Sequence, residues 1–210
     1  MYKNKHGFTI VELIIVIVVI AILAAVITLS YRGVQQTAQN AKTLSAASSY
    51  LDLLALYHFD NKTYPPMPES IIVDMCLGTV YTVDPAYGPD CVVLSPNAKT
   101  AAVSNQFKIY TGSEDVPEPS TIGYSNGPVL VRGVRLTYLP SQKLDGKQQA
   151  WWLTYVLGGT PAPGACVVGE VAYGDWVGGR GNMTLTEPAS GIEGDPLSPR
   201  AFQCRVPLQI

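Results

Sequence analysis

Gly7-Phe8-Thr9-Ile10-Val11-Glu12-Leu13-Ile14-Ile15 opens an apolar run that continues to about Leu29, and its reading decides the fold. Thr9, Glu12 and Thr28 are the polar members of that run. About 20 apolar residues suffice to cross the hydrocarbon core of a bilayer as a helix. A carboxylate inside such a run costs roughly 2.5 kcal/mol or more at the bilayer centre, and less near its edge. An anchor with no further task would be more stable with leucine at position 12, so Glu12 needs a reason. Before the run, residues 1–7 carry Lys3 and Lys5. By the positive-inside rule these stay cytoplasmic, and everything after about residue 30 is delivered outside. A cleaved secretory signal fits less well: Ala24 as the −1 residue puts Ile22 at −3, and Ala25 puts Leu23 there, where small residues are needed.

Working outward, residues 30–59 contain no proline and one glycine, Gly33. Val34, Ala38, Ala41, Leu44, Ala47, Leu51, Leu54 and Tyr57 recur three or four apart, which predicts an amphipathic continuation of the same helix. At 1.5 Å per residue a helix of about 50 residues would be ~75 Å long. Asp60, Asn61, Pro65 and Pro66 end it. Beyond Pro66 the period becomes two, and 106–111, 129–139, 148–157, 166–173, 183–186 and 201–208 read as strands, with a β-bulge at Gly133. Residues 65–96 read as irregular. The expected fold is α+β, a long N-terminal helix packed on an antiparallel sheet. The expected divisions are a short basic segment, 1–7, a membrane-spanning helix, 8–29, its amphipathic continuation, 30–60, and a β-rich head, 61–210.

Composition agrees with an exported domain on a membrane segment: 47% apolar, 14% charged, 19 glycines and 16 prolines. The formal charge of −2 gives no footprint for nucleic acid, although Arg132, Arg135, Arg180, Arg200 and Arg205 would form a basic patch if they converged. Cys76, Cys91, Cys166 and Cys204 show no metal-ligand spacing, and an even count outside the cell reads as two disulfides. Three pairings are open; Cys76–Cys91 and Cys166–Cys204, each local, are favoured. His58 reads as a packing residue. Trp151, Trp152 and Tyr155 lie in one strand, where neighbours alternate in direction, so at least one tryptophan belongs in the core. Glu187, Glu193 and Asp195 match no calcium loop. No catalytic constellation, metal site or cofactor motif is present, which points away from an enzyme.

The leader ending in Gly7, followed by Phe8-Thr9-Ile10-Val11-Glu12-Leu13-Ile14, resembles the class III signal of type IV pilins and pseudopilins. Ala55-Leu56-Tyr57-His58-Phe59-Asp60-Asn61-Lys62-Thr63-Tyr64-Pro65 resembles the helix end and turn of the same families. The resemblance covers residues 1–66 and implies cleavage by a prepilin peptidase after Gly7, methylation of the new terminus at Phe8, and a role for Glu12 in subunit assembly. It makes residues 1–7 a leader and 8–29 the polymerisation helix. It further implies identical or related subunits as partners, a membrane assembly platform, a single-pass precursor in the cytoplasmic membrane and an extracellular fibre. Many family members carry a proline about twenty residues into the mature chain; this helix has none before Pro65. A carboxylate is tolerable in lipid or in a filament core when paired, and the Phe8 amine of a neighbouring subunit is the expected partner of Glu12. The primary expectation is a type IV pilus subunit serving adhesion, motility or DNA uptake. The alternatives are a pseudopilin of a secretion or competence system, and a single-pass anchored binding domain.

Overall fold

The computed structural model describes residues 9–65, 73–79, 83–84, 88–89, 91, 106–112, 115–120, 123–126, 129–159, 164–169, 172–173, 181–185, 192–193 and 201–208. One helix, α1, runs from Ile10 to Asn61. The chain divides into two compact units, Met1–Ala38 and Gln39–Ile210, and α1 contributes to both.

Within the first unit, α1 is apolar on every side from Ile10 to Ile27 apart from Glu12. Each Ile, Leu and Val from Ile10 to Ile27 is at least 48% exposed, so no inward face exists there. The 18 residues Ile10–Ile27 are long and apolar enough to cross a membrane.

Within the second unit α1 has a face. Thr43, Ala46, Ala47, Tyr50, Leu53 and Leu54 are buried, at helical spacing. This face is rotated from the stripe expected above. Ala47 and Leu54 belong to both, Leu44, Leu51 and Tyr57 are half-buried, and Val34, Ala38 and Ala41 are exposed. The rotation has a cause that apolar counting misses: Thr43 and Tyr50 point inward. The helix ends where Lys62 takes a left-handed conformation (φ 57°) and its N–H donates to the His58 carbonyl at 2.8 Å. Pro65 follows.

The helix packs on a five-stranded antiparallel sheet in the order β1 (Val73–Leu77), β6 (Val134–Tyr138), β9 (Trp151–Gly158), β13 (Ala201–Pro207), β12 (Ile192–Glu193). Register places Met75, Leu136, Leu153 and Val206 in one row, and Leu77, Val134, Tyr155 and Cys204 in the next. These rows form the core with Tyr50, Leu54 and Phe107. Smaller sheets complete the unit. They are the pair β2 (Val83–Asp84) and β3 (Gly88–Pro89), the pair β4 (Gly123–Asn126) and β5 (Val129–Arg132), and a four-stranded sheet. The last has the order β10 (Ala172–Tyr173), β11 (Gly181–Leu185), β7 (Gln142–Leu144), β8 (Lys147–Gln148). Asp145 and Gly146, with φ 49° and 82°, make the tight turn between β7 and β8.

Several expected strands change. Residues 106–111 hold a helical turn, α2 (Lys108–Thr111), capped by left-handed Gly112. Phe107 is buried against Tyr50 and Tyr57 while Ile109 is exposed, so the apolar alternation there reflected one anchor rather than a sheet. Residues 166–169 form a loop with left-handed Gly169, and among the described residues of that stretch Ala172–Tyr173 pairs as a strand. Gly133 (φ 68°) does more than bulge: β5 before it pairs with β4, and β6 after it joins the large sheet. Residues 65–96, read as irregular, contain the edge strand β1. The 160–163 loop and most of 187–199 lie outside the described residues.

Cys76 is bonded to Cys91, and Cys166 to Cys204, each with Cα atoms 5.8 Å apart. The first ties edge strand β1 to the segment after β3. The second fastens the 164–169 loop to β13.

Candidate functional site

Thr9 is the last non-helical residue before α1. Its N–H and its hydroxyl both donate to Glu12 Oε2, at 2.9 and 2.7 Å. In return the Glu12 N–H donates to Thr9 Oγ1 at 3.2 Å, and the Leu13 N–H donates to the Thr9 carbonyl at 3.3 Å. This is a reciprocal capping box, in which the N-cap hydroxyl and the carboxylate three residues later satisfy amides that the first turn leaves without helical partners. In the one chain described, Glu12 therefore already has a local partner. Sequence reasoning names the Phe8 amine of a neighbouring subunit as the expected partner and does not weigh Thr9, although Thr-x-x-Glu ahead of an apolar run is a sequence signature of such a box. The expected cleavage residues Gly7 and Phe8 lie outside the described residues.

The head offers different chemistry. On the sheet face opposite α1, Arg135 is buried, with its Nη1 3.2 Å from Asp74 Oδ1 and its Nη2 donating to Gln203 Oε1 at 2.7 Å. Thr137 donates to the same Asp74 oxygen at 2.6 Å. Arg205 is buried on this face as well. A basic patch for nucleic acid is thus not what Arg135 and Arg205 form. They belong to a buried polar layer, whose ion pair is costly to break because one partner would be left charged and unpaired. Arg180 and Arg200 lie outside the described residues, and Arg132 is half-buried.

The aromatic cluster splits as alternation requires. Trp152 is fully buried against Leu139, while Trp151 packs on Tyr64 and Tyr138 on the helix side. His58 stacks on Tyr64 with ring centroids 4.8 Å apart. An apolar groove lined by Leu51, His58, Tyr64, Leu144, Val206 and Leu208 runs beside the end of α1. Burial pushes the Tyr64 and Tyr155 hydroxyls up to about 12; at Tyr155 a bond from the Val168 N–H opposes that rise. Among the described residues no group of three or more His, Cys, Asp or Glu side chains could hold a metal ion. Glu187 and Asp195 lie outside those residues.

The family model for the prokaryotic N-terminal methylation motif matches residues 2–28. Among curated proteins the chain is 31% identical over 82 residues to the type II secretion system core protein G of Pectobacterium carotovorum subsp. carotovorum, covering 39% of this chain and 51% of that protein. It is 28% identical over 71 residues to the protein of the same name in Dickeya chrysanthemi, and 29% identical over 69 residues to that of Aeromonas hydrophila. Those matches cover 34% and 33% of this chain, and 46% and 48% of the relatives. The chain thus spans about half the length of the curated relatives it matches. No solved structure matches it. A methylation motif laid over an apolar helix that leads into an antiparallel sheet unit, together with the similarity to secretion core proteins, supports a place for this chain in the type IV pilin and pseudopilin superfamily.

Proposed function

We propose that the chain is a pseudopilin, a structural subunit that polymerises through α1 in a type II secretion-like machine. The observation that carries this reading is the coincidence of the methylation motif at 2–28 with a capped helix apolar on every side from Ile10 to Ile27. An all-apolar helix is stable in lipid or packed among other helices, and the proposed life cycle gives it each in turn. The relatives named for secretion weigh against the alternative of a surface pilus serving adhesion, motility or DNA uptake.

In this proposal residues 1–7 are a cytoplasmic leader, removed by a prepilin peptidase between Gly7 and Phe8, and Phe8 becomes the N-methylated terminus. Residues 8–29 hold the precursor in the cytoplasmic membrane, 30–60 continue the helix, and 61–210 form the exported head on two disulfides. Thr9 keeps its amide N–H after cleavage at that bond, so the capping box survives in the mature chain. The Thr9 bonds fall on Glu12 Oε2. The carboxylate then serves twice, capping its own helix and taking the Phe8 amine of the next subunit with its other oxygen. Its partners are other copies or related subunits and the membrane assembly platform; the subunit itself needs neither catalytic residue nor cofactor.

Intact-mass measurement on sheared or purified filaments tests this: the expected chain starts at a methylated Phe8, and a chain that keeps residues 1–7 overturns it. Deleting the chain separates the two filament readings. Loss of protein export with surface fibres unchanged is expected; loss of surface fibres with export intact returns the pilus reading.

A further inference from the structure

Inward contact along α1 in the second unit begins at two polar residues. Asn40 is half-buried and Thr43 fully buried, whereas 34–39 are exposed. Hydrophobic burial does not explain an asparagine there, but the end of β9 does. The ladder between β6 and β9 stops at Val134↔Tyr155, three residues short of Gly158, while β13 continues on the other side as far as Ala201↔Gly158. One strand residue points its N–H and C=O to the same side, so Gly158 would present both where β6 has ended. Asn40 closes that gap: its Nδ2 donates to the Gly158 carbonyl at 2.9 Å, and the Gly158 N–H donates to Asn40 Oδ1 at 2.8 Å. A carboxamide carries a donor and an acceptor side by side, as a peptide does, so this side chain stands in for a strand residue.

One turn on, the Thr43 and Ser120 hydroxyls share a hydrogen bond of 2.7 Å, and the Ser120 N–H donates to Thr43 Oγ1 at 3.2 Å. The next inward residues, Ala46 and Ala47, are small and bury little area. Leu44 packs half-buried against the core, and fully buried large side chains begin only at Tyr50. The first two docked turns are therefore held chiefly by directional bonds, and a slide of α1 by one turn, about 5.4 Å, would break them all.

We infer that Asn40 and Thr43 form a latch that fixes the register of α1 on the sheet and sets the point where the helix ceases to be part of the head. On the filament reading proposed above, on which this consequence rests, the latch fixes the length of helix, residues 10–39, left for packing against other copies. Without it the docked helix frays from residue 40 to about 47 while the core beyond Tyr50 holds, and the free length is no longer one value.

Hydrogen exchange read by mass spectrometry on the full-length chain in detergent micelles tests this. In Asn40→Ala, amides 40–47 should exchange ~10- to 100-fold faster, the range set by leaving a buried peptide group unpaired, and amides 50–57 should be unchanged. Asn40→Asp, which accepts from Gly158 but cannot donate to its carbonyl, should fall between the two and keeps the test open if the alanine variant does not fold. Thr43→Val should give the same local pattern. Equal acceleration across 40–57, or none anywhere, overturns the latch. The experiment reads contacts within one chain, so its failure leaves the filament reading standing. Conversely, filaments whose chains keep residues 1–7 would remove that reading and leave the latch.

Discussion

Residues 10–27 and residues 40–57 of α1 share one backbone conformation and almost nothing else. In the first length every Ile, Leu and Val is exposed, and the polar exception, Glu12, is bonded to Thr9 at the helix start. In the second, Ala47, Tyr50 and Leu54 have no exposed surface, and polar residues have assigned partners across the unit. Forming a helix is a local matter of propensity and capping. What the helix is for is written in how apolar residues are distributed around it. An all-round apolar cylinder needs an apolar surrounding, and a single stripe needs one wall.

The comparison breaks first at Glu12. Glu12→Leu removes both the cap and the charge, so the variant should insert in the membrane yet be absent from filaments, as read by immunoblotting of membrane and sheared fractions. Glu12→Gln separates the two roles, because glutamine also completes a capping box. It should keep the helix start and still fail to assemble if the Phe8 amine needs a carboxylate. Normal filament yield from Glu12→Gln would reduce the residue to a cap.

A substitution in each length sharpens the contrast. Leu54→Ala opens a cavity in a fully buried site and should destabilise the head by about 3 kcal/mol in urea unfolding followed by tryptophan fluorescence. Val18→Ala should leave that transition unmoved, since Val18 lies in the unit with no inward face. A comparable loss from both would mean that the two lengths are energetically one.

The sequence shows the all-apolar length plainly, because no tertiary contact is needed to recognise a run without a period. It also indicates where α1 ends, since Asn61 and Pro65 act on the local backbone. The docked face is legible only to within a rotation. Thr43 and Tyr50 are inward for reasons that sit far away in the chain, at Ser120 and Phe107. Likewise Asn40 reads as solvated until Gly158, 118 residues later, is beside it. Strand β1 is hidden for the same reason: Asp74 looks misplaced in a strand until Arg135 and Thr137 face it across the register. Of the candidate site, Glu12 stands out as an isolated charge, while its cap partner Thr9 is visible only as a spacing.

The core behind the docked length should also register pH. Tyr155 is fully buried and its hydroxyl is pushed up to about 12, against about 10 in an unfolded chain. Below pH 10 both states keep the proton and its contribution is whole. Between pH 10 and 12 the unfolded chain ionises first, so stability falls as pH rises, by up to about 2.7 kcal/mol for a two-unit difference. Tyr64, also raised to about 12, falls in the same window. Urea unfolding at pH 8 and pH 11 should therefore show a loss that is smaller in Tyr155→Phe. An equal loss in the wild type and that variant would remove Tyr155 as its source.

The smallest effect expected tests the start of the other length. Thr9→Val keeps shape and removes the hydroxyl that accepts from the Glu12 N–H and donates to its carboxylate. Losing such a cap costs about 1 kcal/mol, spent within the first turn. Amides of residues 10–13 should then exchange about fivefold faster in micelles, with the head transition unchanged. Thr9→Ser, which keeps the hydroxyl, should behave as the wild type. If valine and serine give the same exchange, the box does not hold the helix start. Glu12 would then have no local role to set beside the intersubunit one, and its place in an otherwise apolar length would rest on the neighbour's amine alone.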